Sequence, residues 1–376
     1  MSASEQVLVD RAYLSAVAEP PAVRLAGFVA EKGAVAAAEA VRSAREPAEV
    51  ADEVAARRRH VDGALLLDQA ARSGARLVVP ESAEWPAAPM AALAGAREVG
   101  LPGVAEPLAL WVRAGAVAPA LTEPGVAVVG ARAASGYGEH VAAEFGHGLA
   151  AAGFPVVSGA AYGIDGAAHR GALAAERTTV AVLACGVDVD YPAGHARLLR
   201  VIGQCGAVLS EYPPGTRPRK HRFLVRNRLI AALGTATVVV EAGARSGAAN
   251  TAHTADLLGR HVLAVPGPVT AVNSVGCHEL IRSGGAVLAT GVPDVLEALG
   301  RLGVSPPAAA ESAERRGDAL RPEVRRLHDA LPVSGAAPAE ELARDSGLPL
   351  HKVRALLPEL ELDGAAVRCE GGWSAM

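Results

Sequence analysis

The chain has 376 residues, 51% hydrophobic and 20% charged, with a formal net charge of -4. That length supports one sizeable core with one or two small satellites, and the composition excludes a disordered chain. The near-neutral balance gives no global footprint of nucleic acid, so such a surface must be sought as a local patch.

Met1 to Arg11 carries Glu5 and Asp10 and no basic region before an apolar run, so it does not read as a secretory signal. Residues 1–72 are alanine-rich with helical spacing, broken by turns at Glu19–Ala22 and Glu46–Ala48, and predict a small helical (SAM-like) domain. Its cluster Arg57, Arg58, Arg59 and His60 reads as a solvated helix face, with a binding face as the alternative.

From 73 to 300, short β-branched runs alternate with helical stretches. The runs are Leu77–Val79, Leu108–Val112, Val126–Gly130, Pro155–Ser158, Thr179–Gly186, Ala207–Tyr212, Ala236–Glu241 and His261–Pro266. Strand, helix, strand, repeated, predicts an α/β fold: a Rossmann-like, doubly wound, mostly parallel sheet covered on both faces. Val141, Phe145 and Leu149, spaced four apart, line one face of a covering helix. Aromatics make up only 3% of the chain, so small branched side chains must fill the core and each aromatic needs a reason. Residues 301–320, rich in Pro, Ala, Ser and charge, read as a linker. In 321–376, helices at Glu323–Ala330, Ala339–Ser346 and Leu350–Leu362 and a two-stranded wing at Ala365–Ser374 predict a C-terminal winged-helix domain.

Three strand ends run into glycine-rich turns that open helices. The first holds Gly130, Arg132, Ser135, Gly136 and Gly138, with Ser135 placed to cap the next helix and Glu139 to complement its dipole. The second holds Ser158, Gly159, Gly163 and Asp165, with Asp165 as an N-cap; the third holds Glu241, Ser246 and Gly247. Glycine there lets backbone N–H groups approach an anion at a helix N-terminus. Any one such loop is equally explained by a tight turn. In a parallel sheet, however, all three converge on the carboxyl edge, so Gly130, Ser135, Gly136, Ser158, Gly159, Gly163, Asp165, Ser246 and Gly247 are expected to build a phosphate pocket. None matches a dinucleotide fingerprint or a P-loop.

The sharpest local signal is Arg217-Pro-Arg219-Lys220-His-Arg222-Phe223-Leu-Val-Arg226-Asn227-Arg228, six positive charges in twelve residues without an acid. Cations that track phosphates beside an aromatic face are what unpaired nucleic acid needs. Lys220 and Phe223 are expected to contact DNA, whereas Arg226 and Arg228 could instead be held in buried ion pairs with acids such as Glu211.

The strings VGARAASGYG from Val129, SGAAYGIDGAAH from Ser158, SEYPPG from Ser210, FLVRNRLIAAL from Phe223 and VPGP from Val265 resemble the DNA-processing protein A family (DprA, also called Smf). Five motifs in order over about 140 residues carry the resemblance, and the helical N-terminus, linker and winged C-terminus fit the layout of its longer members. The resemblance implies a non-enzymatic protein that binds single-stranded DNA, protects it and loads the RecA recombinase during natural transformation. It further implies a homodimer formed through the Rossmann core, strand contacts from Arg132, Lys220 and Phe223, and Asn227 and Arg228 shaping the same pocket. The chain departs from the family pattern in reading G-A-R where G-S-R is usual, and in carrying His278 where relatives carry Asn in G-C-N-x-L-I.

Two readings of other classes compete. Glu241 at a strand end resembles the carboxylate position of nucleotide phosphoribohydrolases, but the P-G-G-x-G-T-x-x-E signature is missing. A duplex-DNA regulator acting through the winged helix is the other, although the recognition helix mixes His351, Lys352 and Arg354 with Glu359, Glu361 and Asp363. His169, one helical turn after Asp165, reads as structural. No cofactor or metal is expected: Cys185, Cys205, Cys277 and Cys369 are scattered and no metal-ligand spacing occurs. No apolar stretch is long enough to span a bilayer, and the cysteine usage suits a cytoplasmic location.

Overall fold

Five helices come first in the chain: α1 (Glu5–Val17), α2 (Val23–Lys32), α3 (Ala34–Arg42), α4 (Ala48–Val54) and α5 (Gly63–Arg72). Then come β1 (Arg76–Val78), α6 (Ala87–Glu98), β2 (Leu110–Ala114), β3 (Gly125–Val129), α7 (Gly136–Ala151), β4 (Val156–Ser158), α8 (Ile164–Ala174) and β5 (Thr179–Leu183). The core continues with α9 (Ala196–Cys205), β6 (Ala207–Ser210), α10 (Lys220–Leu233), β7 (Gly234–Val239), α11 (Gly247–Leu257), β8 (His261–Ala264), α12 (Val275–Arg282), β9 (Val287–Leu288) and α13 (Val292–Ala298). Last are α14 (Pro322–Asp329), α15 (Ala339–Ser346), α16 (Leu350–Leu362), β10 (Ala366–Cys369) and β11 (Gly372–Ala375). The computed structural model describes residues 3–115, 121–244, 246–300 and 321–376. The predicted linker at 301–320 lies outside the described residues.

Among the described residues, nine strands make one sheet in the order β1-β2-β6-β5-β4-β3-β7-β8-β9. The seven strands from β6 to β9 pair in parallel, whereas β2 runs antiparallel to both β1 and β6. The mostly parallel sheet is therefore as the sequence predicts, with an antiparallel edge and a ninth strand, β9, that its two-residue length hides from pattern reading.

Both faces of the central strands are covered. In β3, Ala127 and Val129 join one buried cluster with Leu229 and Ile230 of α10, while Val126 and Val128 join another with Phe145 and Leu149 of α7. Strands buried on both sides read as unbroken apolar runs, as these do. From β3 the chain builds outward through β4 to β6, then returns at β7 to start the other flank. The resulting switch point opens a crevice at the carboxyl ends of β3 and β7.

Residues 1–302 form one compact unit and 303–376 a second. The first unit includes α1 to α5 together with the sheet. These helices are tied to the sheet region by Arg11–Glu81 at 2.7 Å and by Ala12 and Ala70, which share a buried cluster with Trp111 and Leu199. Of the Arg57–His60 cluster, Arg57 pairs with Glu19 and Arg58 with Glu46. The second unit is a three-helix bundle with a β10–β11 wing, closed by Leu327, Leu342, Val353 and Leu357. No helix among the described residues is long and apolar enough to cross a membrane.

Candidate nucleic-acid interface

The three glycine turns do meet at the carboxyl edge, but two of their anion sites are filled by the protein itself. Asp165 does not cap α8; it lies inside the first turn, and its Oδ2 accepts from the N–H groups of Gly159 at 3.1 Å and Ala161 at 3.4 Å. Burial raises the Asp165 pKa, against the lowering influence of Arg226 and these amides. The Arg226 guanidinium is buried too, donating to the carbonyls of Gly159 at 2.9 Å and of Val182. Burial lowers its pKa to about 10, partly offset by Asp165. A Cβ on Gly159 would lie 2.2 Å from this guanidinium, and Gly163 takes φ +72° to pass the Ala131 carbonyl. These glycines serve internal packing.

In the first turn Ser135 caps α7 as predicted, accepting from Gly138 N–H at 3.0 Å. Its own N–H and hydroxyl donate to Glu241 at 3.0 and 2.5 Å. The Ala131 N–H donates to the Glu241 carbonyl at 2.8 Å and the Ala133 carbonyl accepts from Asn273 at 2.8 Å, so the loop is pinned on either side of Arg132. Glu241 is thus a buried carboxylate that holds this turn. Ser158, fully buried, donates to the Val128 carbonyl at 2.6 Å. His169, equally buried, shares a 2.8 Å hydrogen bond with Thr179 and forms no acid-base pair with Asp165; burial, then nearby His195 and arginine charges, lower its pKa to about 3.

A cavity of about 620 Å³ opens at the crevice, bordered by Gly130, Arg132, Asp165, Lys220, Phe223 and the Ser246–Gly247 turn. Ser246 caps α11 through Ala249 N–H at 3.2 Å, and Asn227 braces this third turn by donating to the Gly247 carbonyl at 3.1 Å. Arg132 is exposed, with its guanidinium 4.7 Å from the centroid of the Phe223 ring. Tyr191, which sequence reasoning misses, also borders the cavity and packs on Phe223 with centroids 5.4 Å apart. The scarcity of aromatics is the one signal in the sequence that could single it out.

The basic stretch divides by burial. Arg228 is not a cleft residue: it makes a bidentate pair with Glu211 at 2.6 and 2.8 Å and donates to the Ala105 carbonyl, with 3% of its side chain exposed. Arg226 borders the cavity but its guanidinium is committed to the two carbonyls. Arg222 and His221 share Glu19 at 2.7 and 3.1 Å. Burial works against ionisation of Glu19, but hydrogen bonds from Arg222, Arg57 and His221 bring its pKa down to about 2. Arg217, Arg219, Lys220 and Arg132 are exposed and have no ion-pair partner among the described residues. Three consecutive basic residues opening α10, with no acid in its first turn, oppose the helix dipole, a cost that a bound anion would reverse. His278 bonds the Gly267 carbonyl at 3.0 Å.

In the winged-helix unit, Lys352 and Arg354 of α16 pair with Glu323 and Glu340 at 2.6 and 2.5 Å, and Arg321 pairs with Glu359 at 2.7 Å. These cations are neutralised within the unit, a poor footprint for a phosphate backbone.

Fold and site together define a Rossmann-like α/β protein with a cationic, aromatic crevice and a winged-helix unit. The chain belongs to the DNA recombination-mediator protein A family, whose model matches residues 76–300; the DprA winged helix domain model matches 305–372. It is 49% identical over 365 residues to a Mycobacterium tuberculosis chain named as a DNA processing protein DprA, covering 96% of this chain and 92% of that one. It is 38% identical over 256 residues to Protein Smf of Escherichia coli, covering 66% and 67% of the two chains. Among solved structures, DNA processing protein A of Streptococcus pneumoniae superposes with a TM-score of 0.63 at 30% identity, over 79% of this chain and 98% of that one.

Proposed function

We propose that the crevice binds single-stranded DNA and that the protein, without catalysis, passes the strand to RecA recombinase in DNA uptake and recombination. The observation that carries this reading is the Arg132 guanidinium lying over Phe223 beside Lys220, at the mouth of a cavity between β3 and β7. Cations and an aromatic face together fit a phosphate-linked base, and stacking accepts any base. The cations neutralised by Glu19, Glu211 and buried carbonyls leave Arg132, Arg217, Arg219 and Lys220 for phosphates. Arg226 and Asn227 act behind the surface, shaping the pocket. Membership of a recombination-mediator family and the DNA-processing names of relatives support a role in handling DNA.

The same reading takes the protein to be a cytoplasmic homodimer organised as a helical segment 1–72, a DNA-binding core 73–300, a linker 301–320 and a winged-helix domain 321–376. Four neutralised phosphates, at a slope of about -0.7 each, give an affinity drop of about 50-fold between 50 and 200 mM salt. Anisotropy titration with a labelled oligothymidylate measures it; a flat response overturns the electrostatic reading. RecA filament growth on a strand coated by a single-strand-binding protein should quicken when the chain is added. An unchanged rate removes the loading step.

A further inference from the structure

Of the five tyrosines, Tyr13 and Tyr212 are buried, while Tyr137, Tyr162 and Tyr191 are exposed, and all three of these lie at the carboxyl edge of the parallel sheet. A ring kept in water forgoes the stabilisation of burial, so a cluster of them at one edge invites a ligand. Tyr191 is tilted 48° to Phe223, and beyond it Tyr162 meets His195 edge-on with centroids 4.9 Å apart. The Tyr162 hydroxyl accepts from Gly194 N–H at 3.2 Å, which fixes its ring against the turn that comes after Tyr191.

The two tyrosines are continuous with the crevice. Arg132, Ala161, Tyr191 and Phe223 border both the 620 Å³ cavity and a second one of about 50 Å³ that reaches to Tyr162 and Pro192. These residues therefore form the ridge between the two. The second cavity is far too small to take in a nucleobase, so what it presents to a strand is the rings on its rim.

We propose that Tyr191 and Tyr162 form a second nucleobase-stacking subsite, next along the strand from the base on Phe223, which takes an unpaired base of any sequence. The proposal rests on the single-strand reading above and adds a direction to it: the strand crosses the Arg132–Phe223 ridge from the Ser246–Gly247 turn toward the loop after β5. Tyr191 could instead only prop Phe223, and in that role it would touch no base.

The test is photo-crosslinking of the full chain to an oligothymidylate carrying 5-iodouracil, with adducts mapped by mass spectrometry. Adducts at Tyr191 or Tyr162 as well as at Phe223 are expected. The Tyr191→Ala variant should bind roughly ten-fold more weakly with an unchanged salt slope, and Tyr191→Phe should stay within about two-fold of the unaltered chain. Adducts confined to Phe223 and its neighbours on α10, or an unaltered affinity in a folded Tyr191→Ala, overturn the subsite while single-strand binding stands. Failure of the unaltered chain to bind single strands at low salt sinks both.

Discussion

The guanidinium of Arg132 lies 4.7 Å from the ring centroid of Phe223, joining the turn after β3 to the first turns of α10. Charge and ring are thereby presented as one surface, and the ring is half-buried, so removing it opens no core cavity. Phe223→Ala should weaken single-strand binding by about 5- to 100-fold, with a thermal midpoint close to that of the unaltered chain. Gel shift and differential scanning fluorimetry check the two halves.

Lys220 is exposed and unpaired among the described residues, so its loss should act through phosphates alone. Lys220→Ala should lower affinity evenly across sequences and make the salt slope shallower by about 0.7. A slope that stays the same would assign the lysine to another task.

Arg228 should behave in the opposite way. Its removal leaves Glu211 buried without a partner, a loss of about 3–5 kcal/mol. Urea unfolding of Arg228→Ala should show that loss, while the molecules that remain folded bind single strands as before. A stable variant with weakened binding would put Arg228 back at the strand.

Glu241 holds the Arg132 loop through Ser135. Glu241→Ala should therefore weaken binding of single strands several-fold without Glu241 touching them. Nucleoside monophosphates incubated with the unaltered chain should release no base; turnover abolished by Glu241→Gln would restore the hydrolase reading.

His169 is buried and neutral in the fold, its pKa brought down to about 3 by burial and by nearby positive charges. The unfolded chain binds this proton near pH 6.5. The stability contributed by the neutral ring is thus complete above pH 6.5 and is lost as pH falls toward 3, at up to about 1.4 kcal/mol per pH unit. Urea midpoints of His169→Asn against the unaltered chain between pH 7 and 4 should converge as pH falls. Parallel curves would contradict this account of the histidine.

The fold is legible in the sequence wherever period and punctuation agree. The runs from Val126 to Pro266 are mostly apolar because both faces are covered, and the Ser135 and Ser246 caps come from residue type. β9 escapes because two residues carry no period. The site is legible in part. Lys220 and Phe223 stand out because no acid dilutes their stretch locally; the acids that neutralise the rest, Glu19 and Glu211, arrive from elsewhere in the chain or through the fold. The glycine turns lie at the carboxyl edge, but Asp165 fills one from within the same turn and Glu241 reaches another across 106 residues of chain, a contact that only tertiary structure makes. Tyr191 belongs to a loop with no motif of its own, and it gains meaning only when β5 and α10 set it beside Phe223.

The central claim, a crevice selective for unpaired polynucleotide, is tested most directly by competition. With labelled oligothymidylate bound to the full chain, unlabelled single strand should displace it at about ten-fold or more lower concentration than duplex of equal length, since paired bases offer no free face to Phe223. The Phe223→Ala variant should lose most of that preference. Equal displacement by duplex, or a preference untouched by Phe223→Ala, would contradict the account.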